Sequence, residues 1–166
     1  IELDPLCVQI IDTPEFQRLR GLHQLGHCSW VFPAATHDRF QHSLGVAHLA
    51  GMWAEHFQRT QPELQVTDTD VLCVRLAGLL HDLGHGPFSH FWEHEFMPAA
   101  LGRRGGSEHG GAFCHEDVSG RMLDRLLQTN RIDVSPWLDA QDVSFVKELI
   151  GCTVSEPSDR LGAPGV

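Results

Sequence analysis

Histidine is concentrated in one stretch of this sequence, residues 81–90, which reads His-Asp-Leu-Gly-His-Gly-Pro-Phe-Ser-His. The stretch holds His81, His85 and His90, and Asp82 follows His81 directly. Histidine nitrogens and a carboxylate oxygen suit zinc, iron or manganese, and no thiolate is required. Because histidine also titrates near neutral pH, the same residues could move protons. The stretch is a candidate site for metal binding and acid–base chemistry.

The His81–Asp82 pair comes at the end of an apolar segment. Residues 71–83 are hydrophobic on nearly every side and predict a helix in the middle of a bundle, capped at its start by Asp68 or Thr69. A carboxylate is costly to bury unless a cation or metal compensates its charge. The position of Asp82 therefore favours a metal centre that includes both residues of the pair.

A third candidate ligand, His42, lies near the start of the preceding helix. Apolar residues recur there at spacings of three and four and predict a helix over residues 40–59 with one inward face. That face is formed by Val46, Leu49, Ala50, Trp53 and Phe57. His42 precedes the first of them by four residues and is expected on the same face. A buried histidine needs partners for its ring nitrogens, which agrees with a role as a metal ligand.

Capping residues and apolar spacing predict four more helices, over residues 12–26, 88–97, 115–127 and 139–150. Asp12 or Thr13 is the expected cap of the first of these helices. Phe88, Trp53 and Phe57 are expected in the core. No convincing strand alternation and no internal repeat is visible. The predicted fold class is therefore all-α.

The bulk properties limit what the protein can do. A formal net charge of −10 argues against a general nucleic-acid surface, although a local cation or metal could still hold a phosphate-bearing substrate. No apolar run reaches the roughly 18 residues of a membrane span. The five cysteines are scattered and odd in number, so neither a disulfide framework nor a zinc ribbon is expected. Reduced thiols would indicate an intracellular protein.

The chain has the length of one ordinary domain, with 166 residues. Residues 1–154 are expected to form a partial domain. Residues 155–166 are rich in Pro, Gly and Ser without periodicity and are expected to form a disordered or divergent tail. No targeting segment is visible at Ile1, and the start of the chain suggests a cut from a longer protein.

Several motifs resemble the sterile-alpha-motif and HD-domain deoxynucleoside triphosphohydrolases of animals, which belong to the HD phosphohydrolase superfamily. The motifs are residues 12–14, 16–20, 24–26, 31–33, 39–40, 42–45 and 81–90. The similarity spans roughly residues 1–150. It implies an HD-domain helical bundle, incomplete at the C-terminus, and a protein of the nucleus or cytoplasm with roles in dNTP catabolism and antiviral defence.

The resemblance also implies an activity, the metal-dependent hydrolysis of deoxynucleoside triphosphates to deoxynucleoside and inorganic triphosphate. A divalent zinc, iron, manganese or magnesium ion would be held by His42, His81 and Asp82. Arg39 matches a residue that contacts phosphate, as a bidentate cation should. Gln24 and Leu25 match residues that contact the sugar, where a close wall excludes a 2′-hydroxyl.

Four further residues match the family's catalytic pocket. His85, His90 and His115 correspond to histidines that line the phosphate site. His90 is the expected general acid for the leaving sugar oxygen, since a pKa near neutrality suits that role. Glu93 follows His90 by three residues and could orient it, although the family has an aspartate at this position.

The resemblance places a GTP or dGTP activator site at a subunit interface of a homo-oligomer, a dimer or tetramer. The matching residues are Asp12, Gln17, Arg20, Val31 and Phe32. From the residues alone, Asp12 is equally a helix cap, and Val31 and Phe32 are equally core residues.

One family feature has no match, the aspartate that supplies the fourth metal ligand beyond the helix ending near Ile150. Asp159 lacks a helix to carry it, so the chain by itself is expected to have little or no activity. Two alternatives remain open. The chain could belong to a catalytically inactive regulatory paralogue that binds nucleotide or partner subunits, or it could have another HD-type activity, as a nucleotidase or phosphodiesterase.

Overall fold

The computed structural model describes residues 1–102 and 113–151, and within them it contains α-helices, short 3₁₀ and π turns and no strand. The seven described α-helices are α1 (Pro5–Ile11), α2 (Pro14–Gln17), α3 (Arg39–Thr60), α4 (Asp68–Leu80), α5 (Met97–Ala100), α6 (His115–Asn130) and α7 (Ala140–Gly151). The all-α prediction is confirmed. The expected tail over residues 155–166 lies outside the described residues.

Helix α4 occupies the centre of the bundle, as its apolar sequence predicts. It packs against α3 on one side and α7 on another, and α6 lies beside α7. The core is formed by residues from several helices, among them Leu6, Ile10, Phe16, Leu76, Leu79, Leu80, Leu126, Val146 and Ile150. None of the described helices is both long enough and apolar enough to cross a membrane.

The ends of α4 differ from the predicted ones. Thr67 is the N-cap, and its side chain and that of Asp70 form a reciprocal capping box, so neither Asp68 nor Thr69 is the cap. The helix ends at Leu80, before residue 83, and a turn follows from residue 81. His81 and Asp82 therefore follow the helix and are not part of its last turn.

The prediction of which α3 residues face the core is wrong. Trp53 is 61% exposed and Phe57 also lies at the surface, whereas Ala47 and Gly51 are buried. The reason is the close approach of α3 to α4. A Cβ atom built on Gly78 of α4 would lie 3.2 Å from Ala47 Cα. Only small residues fit this contact, so the larger apolar side chains turn outward, and the His42 side chain keeps 34% of its surface exposed.

The first predicted helix, over residues 12–26, is divided. The chain forms α1 before it, and α2 then gives way to a 3₁₀ turn over Arg18–Gly21. Thr13 caps α2, since its hydroxyl accepts the Phe16 N–H at 3.3 Å, and Asp12 is not the cap. The seven-residue helix α1 was not predicted, although its buried residues Leu6, Cys7, Ile10 and Ile11 recur at a spacing of four.

The segment predicted as a helix over residues 88–97 begins with a turn. Phe88 and Ser89 both adopt left-handed backbone angles, with φ of 62° and 57°, which are uncommon for residues other than glycine. Helical structure starts with the π turn Trp92–Phe96 and continues into α5. Phe88 is 49% exposed, so its prediction as a core residue is wrong.

Candidate metal centre

The three predicted metal ligands, called the metal centre below, converge between α3 and α4. His42 Nε2 lies 3.2 Å from His81 Nε2 and 3.4 Å from Asp82 Oδ2, and His81 Nε2 lies 3.3 Å from Asp82 Oδ1. One ligand atom from each residue lies within 4.8 Å of the others. The structure therefore brings these residues together, and their binding of a metal stays a prediction.

Two antiparallel helices position the metal centre. His42 is in the first turn of α3, where Asp38 accepts the Gln41 N–H at 2.8 Å and fixes the start of the helix. His81 and Asp82 directly follow the last residue of α4. The start of one helix meets the end of its neighbour because small residues allow the two to pack closely.

The donor atoms fit a divalent metal. His81 Nδ1 donates to the Gly78 carbonyl oxygen at 2.8 Å, so Nε2 keeps its lone pair on the side of His42 and Asp82. The Asp82 side chain is buried, whereas the two imidazoles are partly exposed. Two imidazole nitrogens and a carboxylate, open to solvent on one side, form a donor set that zinc, iron or manganese accepts in sites that admit a water or substrate.

Asp82 is held in its ionised form. Burial alone would raise the pKa of this carboxyl group, but the hydrogen bond from His85 and the charges of His81 and Arg39 outweigh burial and lower the pKa below its usual range. His85 Nε2 lies 3.3 Å from Oδ1, and the Arg39 guanidinium pairs with Oδ2. A carboxylate must be ionised to bind a metal, so this environment prepares Asp82 as a ligand.

Arg39 lies beside the metal centre and is almost fully buried. Its Nη1 pairs with Asp82, and its Nε donates to Ser89 Oγ at 3.2 Å. The contact with substrate phosphate that the resemblance implies stays a prediction. In the structure the guanidinium neutralises Asp82 and ties the left-handed turn at Ser89 to the start of α3.

Ser119 of α6 supports the metal centre from behind, and the sequence offered no signal for it. Its hydroxyl donates to the His81 carbonyl oxygen at 2.8 Å and accepts the Gly84 N–H at 2.7 Å. A Cβ atom on Gly84 would lie 2.6 Å from Ser119 N. The residue after the His81–Asp82–Leu83 segment must therefore be glycine, because α6 packs directly against its backbone.

Arg18 provides a second support that was not singled out from the sequence. Its Nη1 donates to the His85 carbonyl oxygen at 2.9 Å, and its Nη2 donates to the Leu83 carbonyl oxygen at 2.5 Å. The residue lies within the motif 16–20, but a sequence motif does not show which backbone a side chain contacts. Arg18 fixes the turn that leads from the metal centre to His85.

A second group, called the histidine cluster below, adjoins the metal centre and consists of His85, His90 and His115. The rings of His85 and His115 stack at 3.9 Å between centroids, and the ring of His90 stands edge-on at 5.1 Å from His85. Glu93 Oε2 lies 2.8 Å from His115 Nδ1 and 3.6 Å from His90 Nδ1. Glu93 therefore orients His115 directly, and its distance to His90 exceeds that of a hydrogen bond.

His85 links the two groups and has an unused atom. Burial lowers the pKa of this imidazole below its ordinary value, which favours the neutral ring. Its Nε2 faces Asp82, while its buried Nδ1 has no hydrogen-bond partner among the described residues. A buried polar atom without a partner indicates a site for a ligand or water.

The expected sugar-binding residues lie on the far side of Ser89. The carbonyl oxygens of His23 and Gln24 lie 3.4 Å and 3.5 Å from Ser89 Oγ, and Ser89 also accepts from Arg39. Gln24 Oε1 is buried without a partner among the described residues, and Leu25 is exposed. The structure brings Gln24 to the edge of the same site; its contact with a sugar stays a prediction.

The expected activator residues lie on the surface. Arg20 Nε donates to Gln17 Oε1 at 2.7 Å, and Asp12 is exposed. Val31 and Phe32 are 74% and 65% exposed, so the alternative interpretation of these two as core residues is wrong. Large apolar side chains exposed in this way are available for a ligand or a partner.

Comparison with known proteins identifies the class of this site. Residues 39–143 match the HD domain, and the chain belongs to the HD-domain family. The matched range begins at the start of α3 and contains the metal centre and the histidine cluster. HD domains are metal-dependent, and the matched range includes His81 and Asp82, whose binding of a metal stays a prediction.

Particular relatives are similar over nearly the whole chain. It is 45% identical to the deoxynucleoside triphosphate triphosphohydrolase SAMHD1 of Xenopus laevis over 164 residues and to that of Homo sapiens over 166 residues, covering 96% and 97% of this chain. The SAMHD1 homolog of Dictyostelium discoideum is 44% identical over 150 residues, which is 90% of this chain. The chain spans about a quarter of the length of these relatives, 25%, 25% and 27% respectively.

Proposed function

We propose that the protein hydrolyses deoxynucleoside triphosphates to deoxynucleoside and inorganic triphosphate, with a divalent metal bound at the metal centre. The observation that carries the proposal is the convergence of His42, His81 and Asp82 beside the histidine cluster. The 45% identity to relatives named as deoxynucleoside triphosphate triphosphohydrolases supports the same substrate class.

A divalent metal bound by the metal centre would polarise the phosphate that is attacked by water and offset its charge. The protein's own residues then have separate roles. Asp82 supplies the ionised ligand, and His42 and His81 supply neutral nitrogens. His85 donates to Asp82 through Nε2 and presents its Nδ1, which lacks a partner among the described residues, to the site.

Proton transfer is assigned to His90, with His115 as the next candidate. The His90 side chain is 61% exposed and stands at the open edge of the histidine cluster, where it can reach a bound nucleotide. The acid would protonate the leaving sugar oxygen when the bond from that oxygen to phosphorus breaks. Glu93 holds His115 through Nδ1 and so fixes the direction of its other ring nitrogen.

Substrate and activator contacts complete the proposal. Gln24 and Leu25 would form the wall that excludes a 2′-hydroxyl, and Arg39 would neutralise phosphate charge beside Asp82. GTP or dGTP would activate the protein at the exposed surface that carries Asp12, Gln17, Arg20, Val31 and Phe32, between subunits of a homo-oligomer. The exposure of Val31 and Phe32 supports a binding surface there.

The test is a product analysis. The protein is purified at the length of the relatives named above, of which this chain spans about a quarter, because the chain by itself is expected to have little or no activity. It is incubated with Mn²⁺, GTP and either dATP or ATP, and the products are separated by ion-exchange chromatography. We expect deoxyadenosine and inorganic triphosphate in equal amounts from dATP, much less product from ATP, and none after chelation of the metal. ATP is the matched control because it differs from dATP only by the 2′-hydroxyl.

Other outcomes contradict the proposal in distinguishable ways. Release of orthophosphate or pyrophosphate would indicate a different HD-type hydrolase, such as a nucleotidase. Binding of metal and nucleotide without turnover, even with GTP present, would indicate an inactive regulatory paralogue.

A further inference from the structure

A separate group of candidate metal ligands lies where the π turn Trp92–Phe96 meets the start of α6, next to the histidine cluster. Glu93, Cys114 and Glu116 each offer one ligand atom, and these atoms lie within 4.8 Å of one another. Cys114 Sγ donates to Glu116 Oε2 at 2.8 Å. His115 Nδ1 lies 2.8 Å from Glu93 Oε2 and 3.2 Å from Glu116 Oε2, so a fourth donor adjoins the three.

The two carboxylates are close to one another and share one imidazole. Both contact the same nitrogen of His115, and within residues 1–102 and 113–151 neither forms an ion pair with lysine or arginine. Glu93 is also largely buried, with a side chain 10% exposed. Two like charges in a partly buried place favour a proton or a cation between them.

We propose that Glu93, Cys114 and Glu116 bind a second divalent cation, of the thiophilic class to which Zn²⁺ belongs. Thiolate sulfur, carboxylate oxygen and imidazole nitrogen are all accepted by zinc, whereas magnesium and calcium prefer oxygen donors alone. Zinc holds its ligands at about 2.0–2.3 Å, so ligand atoms around one ion lie about 3–4 Å apart. The three ligand atoms, all within 4.8 Å of one another, are already close to this spacing. The thiol proton passes to solvent as the sulfur binds.

The start of α6 alone would oppose this cation, because the N-terminal end of a helix carries partial positive charge. Two carboxylates and a thiolate outweigh that partial charge. The site is distinct from the metal centre, which contains no sulfur and uses none of these three residues. No motif in the sequence indicated this group, because Glu93 is more than twenty residues from the other two.

Binding at this second site has a consequence that rests on the proposed function. Glu93 Oε2 is also the atom that orients His115. A cation that takes this oxygen would release the His115 ring from its hydrogen bond and disturb the histidine cluster. Zn²⁺ in excess of the metal-centre requirement is then expected to lower turnover.

The binding test uses Co²⁺, which substitutes for zinc and absorbs light in the near ultraviolet when bound to a thiolate. The purified protein is titrated with Co²⁺, and Cys114→Ser is compared with Cys28→Ser, in which an exposed cysteine elsewhere is changed. We expect the sulfur-to-cobalt absorption in the parent protein and in Cys28→Ser, and its loss in Cys114→Ser. Absence of the band in the parent protein, or its persistence in Cys114→Ser, overturns the site.

A second measurement needs no variant. The parent protein is alkylated with iodoacetamide, with and without Zn²⁺, and the labelled peptides are quantified by mass spectrometry. Zinc should slow labelling of Cys114 several-fold and leave Cys28 unchanged; equal rates at Cys114 contradict the proposal. Zinc binding without inhibition of turnover would keep the site and refute its inhibitory effect, and a protein without dNTP hydrolysis would still give the cobalt and alkylation results.

Discussion

The metal centre and the histidine cluster touch through His85 and Asp82, yet they are built in different ways. The ligands of the metal centre lie at the ends of two helices, α3 of 22 residues and α4 of 13. The histidine cluster takes His85 and His90 from a turn that contains two left-handed residues, and only its third member, His115, belongs to a long helix.

Because of this difference, metal binding and turnover are expected to depend on different parts of the site. Metal ligands must keep a fixed geometry, and the packing of α3 on α4 supplies it. The turn instead leaves His90 exposed beside the metal centre, as its proposed role in proton transfer requires. We therefore expect changes at the metal centre to abolish metal binding and turnover together, and changes in the turn to affect turnover alone.

The largest expected effect is that of His42→Ala. The partly exposed side chain contributes little packing and alanine suits the helix, so the fold should persist. Metal affinity should fall by more than the roughly 100-fold typical of losing an outer partner, and turnover should be lost. Metal content by atomic spectrometry and circular dichroism measure the two quantities, with His48→Ala on the same helix as the control. Unchanged metal content would remove His42 from the centre.

His90→Ala should separate the two regions most clearly. Metal content and nucleotide binding are expected to stay at parent levels, while turnover falls by about 10²–10⁴-fold through loss of the proposed general acid. His94→Ala is the matched control, because His94 is exposed and stacks on His90 at 5.6 Å between ring centroids. Comparable turnover in the two variants would transfer the acid role to another residue, with His115 the next to be tested.

Ser119→Ala tests whether α6 supports the metal centre. The change leaves the Gly84 N–H and the His81 carbonyl oxygen without this buried partner, which should cost about 1–3 kcal/mol of unfolding free energy. Metal affinity should also fall by about 10–100-fold, as for other outer partners. Urea denaturation and metal titration provide the measurements, and Ser135→Ala at an exposed position serves as the control. Full metal affinity in Ser119→Ala would mean that the ligands are oriented by α3 and α4 alone.

Thr67→Ala should have the smallest effect, because it acts at the opposite end of α4 from the ligands. Loss of the cap is expected to lower the unfolding free energy by about 0.5–2 kcal/mol without changing metal affinity. Thr69 is one of the two caps predicted from the sequence, and Thr69→Ala should change the unfolding free energy by less than about 0.5 kcal/mol. A larger loss from Thr69→Ala than from Thr67→Ala in thermal denaturation would return the cap to its predicted position.

Local patterns in the sequence predicted the two helices that carry the candidate metal ligands. A long apolar segment ending in His81 and Asp82 predicted both the central helix and the buried acid, and the structure contains both. The start of α3 was also predicted within one residue. The large apolar residues of α3 were wrongly placed in the core, since periodicity does not show that Ala47 and Gly51 form the contact with α4.

Long-range contacts were not visible in the sequence. Arg18 reaches carbonyl oxygens more than sixty residues away, and Ser119 bridges groups more than thirty residues away. Neither residue stands out by type or spacing. The left-handed angles at Phe88 and Ser89 were missed for a related reason: they are stabilised by tertiary contacts, such as the bond from Arg39 to Ser89, and their residue types ordinarily avoid them.

The hydrogen bond from the Gly84 amide to the Ser119 hydroxyl also makes that amide a probe of the motion of α6. The Gly84 amide donates to an oxygen on another helix, whereas the amides of Leu83 and His85 donate within their own turn. Its hydrogen therefore exchanges with solvent deuterium only when α6 separates from the loop. In a deuterium-exchange experiment, the rate at this single amide would report how often α6 separates from the backbone behind the metal centre, independently of any metal or nucleotide signal.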